Sequence, residues 1–428
     1  MLEKLSHLIF IIIFIAVFII DGWGLPQGRS LSLVVLIFAP SILMLLHLFT
    51  KKKIYIPKIA IWFSIFLFFN AFSTFHSTDF QRSRDYLTYY FSLFVIFIYV
   101  LNNSESLKSI YVKVLFSLGI LTFFYWTAFK FFLSSYFTFL IPGHGYQLIH
   151  PFAGYLTHHP IGVVGLILVS ITSVSLFNKI TFNQLIIFII SLAALLISFM
   201  RAGYIAFFGA LLVLIYKYRK IPTQVFVVTS VVLFLLFLAF FMVTSPDYGE
   251  SPIKRIFNTK INHVNVNNKT LLNARDYYYL QSFHAIVEKP LFGFGPHNFF
   301  SASEKYIQNK YVFTTTSTNI LLDFMVENGV VAGVAFFYFF IVIAINAYRS
   351  VSLHDEAGMK LFMLYVSLLI LFQFSYYHGS HTIFLTFIIV GGLIYKEEKS
   401  ETDDYKLTLI ASVLIPIIYF IGRMAPLI

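Results

Sequence analysis

Long apolar runs separated by short polar breaks occupy almost the whole chain. A helix that crosses a bilayer needs about 20 mainly apolar residues. Windows of that length predict about thirteen spanning helices, near 6–22, 31–49, 55–75, 87–101, 110–133, 159–177, 183–200, 202–216, 222–244, 330–348, 361–377, 382–395 and 407–425. One region breaks the pattern. From about 245 to 329 the sequence is polar and mixed, opening with Ser245-Pro-Asp-Tyr-Gly249 and an Asn-rich stretch from Asn262 to Asn273. An amphipathic run from Arg275 to Glu288 follows and stops at Lys289-Pro290, as a helix should. The pattern predicts an all-α integral membrane protein, a polytopic bundle of about 12–13 transmembrane helices with one large extracytoplasmic loop containing short helices. It divides the chain into N-terminal helices (1–244), the loop (245–329) and C-terminal helices (330–428).

Composition sharpens this picture. Only 11% of the 428 residues are charged and 59% are hydrophobic, with a mean hydropathy of +0.82. A soluble domain carries roughly 25% charged residues to solvate its surface, so lipid must be the solvent for most of this chain. The 53 Phe and 27 Tyr suit helix interfaces and headgroup anchors. The net charge of +11 does not mark a nucleic-acid binder, because the basic residues stand singly between apolar runs. With the N-terminus inside, Lys51, Lys52, Lys53, Lys108, Lys179, Lys217, Arg219, Lys220, Arg349, Lys360, Lys396, Lys399 and Lys406 all fall in cytoplasmic connections. The opposite short connections hold Arg29, Arg82, Arg84, Arg201 and Arg423, which puts the long polar segment outside the cytoplasm. The chain has no cysteine, so thiol catalysis and thiolate metal sites are excluded. The first apolar stretch lacks a small-residue cleavage site and reads as a retained helix.

Three features could carry chemistry. Arg201, in Ile197-Ser-Phe-Met-Arg-Ala-Gly203, stands at a helix end next to hydrocarbon, where a guanidinium needs an anion or must reach to headgroups. Arg275 opens the amphipathic helix, and the Gly293-Phe-Gly295 turn that follows allows close backbone approach, as any solvated turn also would. The third feature runs from Thr314 to Gly333. Thr318 or Asn319 could cap a helix there, and Asp323 and Glu327, four apart, share one face. A shared face could raise one carboxyl's pKa for acid–base work, or could simply be wet. The histidines, His297 among them, lack the neighbouring carboxylates of a metal site and read as interfacial aromatics with a polar tip. No metal or cofactor is expected.

The ordered set comprises a helix-end arginine in "FMRAGYIA", a second arginine in "NARDYYYLQSFHAI", then "EKPLFGFGPHNF" and "STNILLDFMVENGVVAGV". It resembles the O-antigen ligase and polymerase superfamily, bacterial membrane enzymes that handle glycans on a polyprenyl diphosphate. The motifs lie within about 200–335, while the hydropathy resemblance covers the whole chain. The resemblance implies that Arg201 and Arg275 bind the diphosphate, with Gly293, Gly295 and Thr318 lining the donor site. It implies catalytic roles for Arg201, Arg275, Asn319, Glu327 and His297. It departs at one point. Ligase members carry a histidine before the asparagine, and Thr318 stands there in this chain. Threonine is no base near neutral pH. Either another group substitutes, with His297, Glu327 and Asp323 as candidates, or the chain is a polymerase with different acceptor chemistry, or it is an inactive or divergent homologue.

The resemblance thus implies a glycosyltransferase in the bacterial inner membrane. It would transfer or polymerise surface polysaccharide from an undecaprenyl-diphosphate-linked glycan, with the polymerase favoured over a ligase that uses a lipid A-core acceptor. Membrane lipid and a chain-length regulator are the further partners implied. A transporter or flippase of a lipid-linked solute, and an inert scaffold, are the readings from other classes.

Overall fold

The structure, a computed structural model, describes residues 2–22, 28–51, 54–128, 158–178, 181–197, 200–218, 264–266, 269–271, 274–306, 316–374 and 380–397. The first eight helices are α1 (Leu2–Gly22), α2 (Gly28–Lys51), α3 (Ala60–Phe75), α4 (Phe80–Asn102), α5 (Ser104–Ala128), α6 (His158–Asn178), α7 (Phe182–Ile197) and α8 (Arg201–Tyr218). A short ribbon follows, β1 (Val264–Val266) against β2 (Lys269–Leu271). Then come α9 (Ala274–Glu288), α10 (Phe299–Tyr306), α11 (Ile320–Asn328), α12 (Val330–Ser350), α13 (Glu356–Leu371) and α14 (His381–Ile394). The protein is an all-α polytopic membrane protein. Among the described residues, α1, α4, α5 and α12 are by themselves long and apolar enough to cross a bilayer, and shorter apolar helices accompany them. The expected spans 222–244 and 407–425 lie outside the described residues.

Several helices start elsewhere than hydropathy suggests. α4 begins at Phe80 instead of 87, because Asp79 caps it by accepting from the Arg82 amide at 3.0 Å. Its first turns carry Arg82, Arg84 and Asp85, which depress hydropathy without breaking the helix. Likewise α13 starts at Glu356, capped by Asp355 on the Gly358 amide at 2.8 Å. α3 starts later than expected, at Ala60, after a turn that follows Pro57. The β ribbon is an addition to the expected all-helical loop. It pairs Val264 with Leu271 and Val266 with Lys269, as the alternation Val-Asn-Val favours.

Helices α13 and α14 are buried almost all round and form the centre with α4. Apolar residues on every side of a helix are what such a position demands. Aromatic rings fill the middle. Phe66 of α3 stacks on Phe336 of α12, centroids 3.9 Å apart at 10°, with Phe63, Tyr90, Phe339 and Phe384 around them.

The two ends of the bundle differ chemically. At one end Lys108 pairs with Asp355 at 3.0 Å, Lys217 donates to the carbonyl of Tyr348, and the Lys396 amide donates to Asn346 at 2.9 Å. The other end gathers the α3–α4 turn, the turn after α9, α11, and the residues that follow α13. Lys108, Lys217 and Lys396, three of the lysines that suggested a cytoplasmic face, thus lie at the end opposite the described part of the polar segment.

Candidate functional site

Helix α11 is nine residues long, too short to span, and it is anchored by apolar side chains. Phe324 enters the aromatic core against the edges of the stacked Phe66 and Phe336, and Ile320 is buried beside it. Asn319 caps the helix, accepting from the Leu322 amide at 3.1 Å. Its amide group also donates to the Gln373 carbonyl and side chain, each at 3.3 Å, which ties α11 to the end of α13.

The opposite end of α11 receives the turn after α9. The Phe294 amide donates to the Val326 carbonyl at 2.9 Å, Gly295 to Glu327 at 2.8 Å, and Val330 back to Pro290 at 2.8 Å. Ser73 of α3 donates to the Glu327 carbonyl at 2.7 Å, and Asn70 to the Asn328 side chain at 2.7 Å. This close approach requires glycine. Gly293 has φ +64 and Gly329 has φ +87. A Cβ at Gly293 would lie 2.4 Å from the Val326 oxygen, and one at Gly329 would lie 2.0 Å from the Leu291 oxygen. The "PLFGFG" and "ENG" segments are therefore the two halves of one contact.

Two buried carboxyls sit within this contact. Glu327 accepts from the backbone amides of His297 and Phe299. Burial raises its pKa to about 8, and the nearby Asp323 adds to the rise, against the pull of those amides and of Arg82. Asp323 accepts from the Thr316 hydroxyl at 2.5 Å and the Ser317 amide at 2.6 Å. Burial outweighs those donors and lifts it to about 7. Holding residues 316–317 in this way leaves Thr318 at φ +64, a left-handed conformation unusual for a β-branched residue. Its hydroxyl is buried and has no hydrogen-bond partner among the described residues.

His297 also has positive φ, +58, and stacks face to face on Tyr86, centroids 3.8 Å apart at 15°. The next residue fixes the turn to the α3–α4 connection. The Asn298 side chain donates to Ser77 at 2.6 Å and Ser83 at 2.8 Å, and Ser83 reaches the Pro296 carbonyl at 3.2 Å.

Of the residues expected at the site, Gly293, Gly295, His297, Thr318, Asn319 and Glu327 are thus gathered at one end of the bundle. Arg201 is the first residue of α8. Gly209 of that helix packs against Ile370 of α13, so the α8 backbone rises about 12 Å further to Arg201. It therefore stands at the same end as Gln373 and α11. Arg275 is the second residue of α9. Both arginine side chains lie outside the described residues.

Tyr86, Ser77, Ser83, Asn298 and Asn70 were not expected at the site. They lie up to 258 residues from their partners along the chain, a separation that spacing cannot reveal. Asn298, directly after the glycine turn, was the one available signal.

Residues 186–337, from α7 into α12, match the family model described as O-antigen ligase. This match, over about a third of the chain, supports assignment to the O-antigen ligase and polymerase superfamily. It supports a membrane glycan enzyme of ligase or polymerase type. The matched stretch contains both arginines, the glycine turn and all of α11. No curated protein matches the chain.

Proposed function

We propose that this protein polymerises a surface polysaccharide, using an undecaprenyl-diphosphate-linked glycan as donor at the extracytoplasmic face of the bacterial inner membrane. The observation that carries this reading is the docking of the glycine turn onto α11, at the end of the bundle where α8 begins with Arg201. The acceptor hydroxyl oxygen attacks the anomeric carbon, and the bond from that carbon to the diphosphate oxygen breaks. Arg201 and Arg275 meet the charge that develops on the leaving diphosphate, an interaction for which the guanidinium fork is suited. The lipid lies between helices, and its sugar reaches the space beneath the 245–329 segment.

Glu327 and Asp323 are already engaged by backbone and hydroxyl donors. We read both as positioning residues, Glu327 for the His297 turn and Asp323 for Thr318. The acceptor proton then falls to His297, whose imidazole type can take it near neutral pH. A polymerase is favoured over a ligase because Thr318 holds the place of the ligase histidine, and its left-handed backbone and a hydroxyl without a partner among the described residues support a binding role there.

Purified protein in proteoliposomes, given polyprenyl-diphosphate oligosaccharide alone, should yield longer chains. Arg201→Ala and Arg275→Ala should each abolish them while the protein stays in the membrane. If both variants retain normal glycan ladders, the mechanism is wrong. Conversion that occurs only with added lipid A-core would make the protein a ligase.

A further inference from the structure

Helix α9 carries more apolar surface than its place in a water-exposed segment calls for. One face is accounted for. Gln281, Ser282 and Ala285 are buried, and Ala285 joins Phe294, Phe299, Ala302 and Val326 in a small apolar cluster apart from the main core. Away from that face, Leu280 is 47% exposed, Phe283 57% and Val287 79%. Their spacing confines them to an arc of about 60° on an α-helix. The exposed polar residues His284 and Glu288 lie along one edge of the arc. Tyr279 and Ile286, half-buried, lie along the other.

The stripe does not end with the helix. Leu291, in the turn that follows, is 59% exposed. Phe292 beside it packs on Phe72 of α3, centroids 5.9 Å apart at 26°, and on Phe69 at 6.3 Å. Phe68, Phe72 and Phe75 are the exposed face of α3, an apolar helix of the bundle whose outer surface meets lipid. Exposed and half-buried apolar residues thus follow one another from α3 through Phe292 and Leu291 to Val287, Phe283 and Leu280. An exposed apolar patch of this kind marks a binding surface, and this one continues a surface already in hydrocarbon.

We propose that α9 lies flat in the membrane–water boundary at this end of the bundle, with Leu280, Phe283 and Val287 seated in the lipid of the same bilayer. Amphipathic helices in this position bury their apolar face about 5–10 Å into the boundary between headgroups and acyl chains. Tyr279, at the edge of the stripe, suits that depth, since tyrosine favours the headgroup level. The seat fixes the height of the glycine turn, which leaves α9 directly at Lys289 and Pro290.

The chain has no cysteine, so single-cysteine variants can carry a nitroxide label without further engineering. Full-length protein in phosphatidylethanolamine–phosphatidylglycerol vesicles would be labelled at Leu280→Cys, Phe283→Cys, Val287→Cys, His284→Cys and Glu288→Cys, with Phe72→Cys as the lipid-facing reference. Spin-relaxation accessibility to oxygen, which partitions into lipid, is compared with accessibility to a water-soluble nickel chelate. Positions 280, 283 and 287 should resemble position 72 and favour oxygen several-fold over the chelate. Positions 284 and 288 should favour the chelate. Equal chelate access at all five positions would place α9 in water and overturn the proposal. Exclusion of both probes at 280, 283 and 287 would also overturn it, because a second copy or another protein would then cover the stripe. The readout needs no turnover, so its outcome is separate from that of the arginine variants.

Discussion

The side chain of Glu327 offers the sharpest test of how the site is held. It is buried and accepts the backbone amides of His297 and Phe299. Glu327→Ala leaves both donors without an acceptor, at about 1–3 kcal/mol each. A loss of only about 2 kcal/mol would raise local opening roughly 30-fold. Glu327→Gln keeps one carbonyl oxygen and should lose much less.

The two variants also differ in pH behaviour. The folded carboxyl titrates near 8, against 4.5 when exposed, so between those values the folded state holds a proton that the open state releases. Stability is therefore fully present below about pH 4.5 and falls as pH rises through 8, by about 1.4 kcal/mol per pH unit and about 5 kcal/mol in all. Asp323, raised from 3.8 to about 7, acts in the same direction. Hydrogen exchange of residues 297–299, followed by mass spectrometry and corrected for intrinsic rates, reads both effects. The wild type should lose protection from pH 5 to 8, and Glu327→Gln should lose less over that range. Protection in Glu327→Ala within threefold of wild type, or equal pH slopes in wild type and Glu327→Gln, would refute the assigned contacts.

Gly329→Ala forces a Cβ to within 2.0 Å of the Leu291 oxygen at a φ of +87, a region kept for glycine. The backbone strain alone is worth about 1–3 kcal/mol, and glycan transfer should fall about tenfold or more with membrane levels preserved. Gly391→Ala, whose nearest neighbour would be a Tyr365 ring atom at 3.1 Å, should be near neutral in the same assay. Thr318→Asn places a residue that tolerates left-handed backbone at φ +64 and should raise the thermal midpoint in detergent by about 2 °C. Asp355→Ala removes both the cap of α13 and the partner of the buried Lys108, and should cost about 2–4 kcal/mol by detergent thermal unfolding. Asp355→Asn keeps the cap and should cost less.

The spanning helices were legible because lipid imposes a length on them, and hydropathy reads length well. Their starts were less legible. Arg82, Arg84 and Asp85 made the first turns of α4 look like a loop, although Asp79 was there as a cap signal. At the site, sequence order could list Gly293, Gly295, Glu327 and Gly329, but it could not show that they touch. That contact depends on two positive-φ glycines and on main-chain carbonyls, which carry no side-chain signature. The left-handed Thr318 was equally hidden, because it goes with the hydrogen bonds that Asp323 accepts from Thr316 and Ser317. The stacking of His297 on Tyr86 likewise joins two segments that only the folded chain brings together.

The seating of the glycine turn on α11 also bears on how such enzymes can be recombined. A cut at residue 329 looks natural from hydropathy, since it separates the polar segment from the helices that follow. Yet the turn at 290–298 is shaped to α11 and is pinned as well to Ser77 and Ser83 of the N-terminal part, while Ser73 holds α11 itself through the Glu327 carbonyl. A chimera that exchanges only 245–329 for a homologue's segment would carry α11 along but leave those serines facing a foreign segment. The exchangeable unit must include the α3–α4 connection. Loop swaps meant to alter glycan specificity should therefore be designed as two-segment grafts.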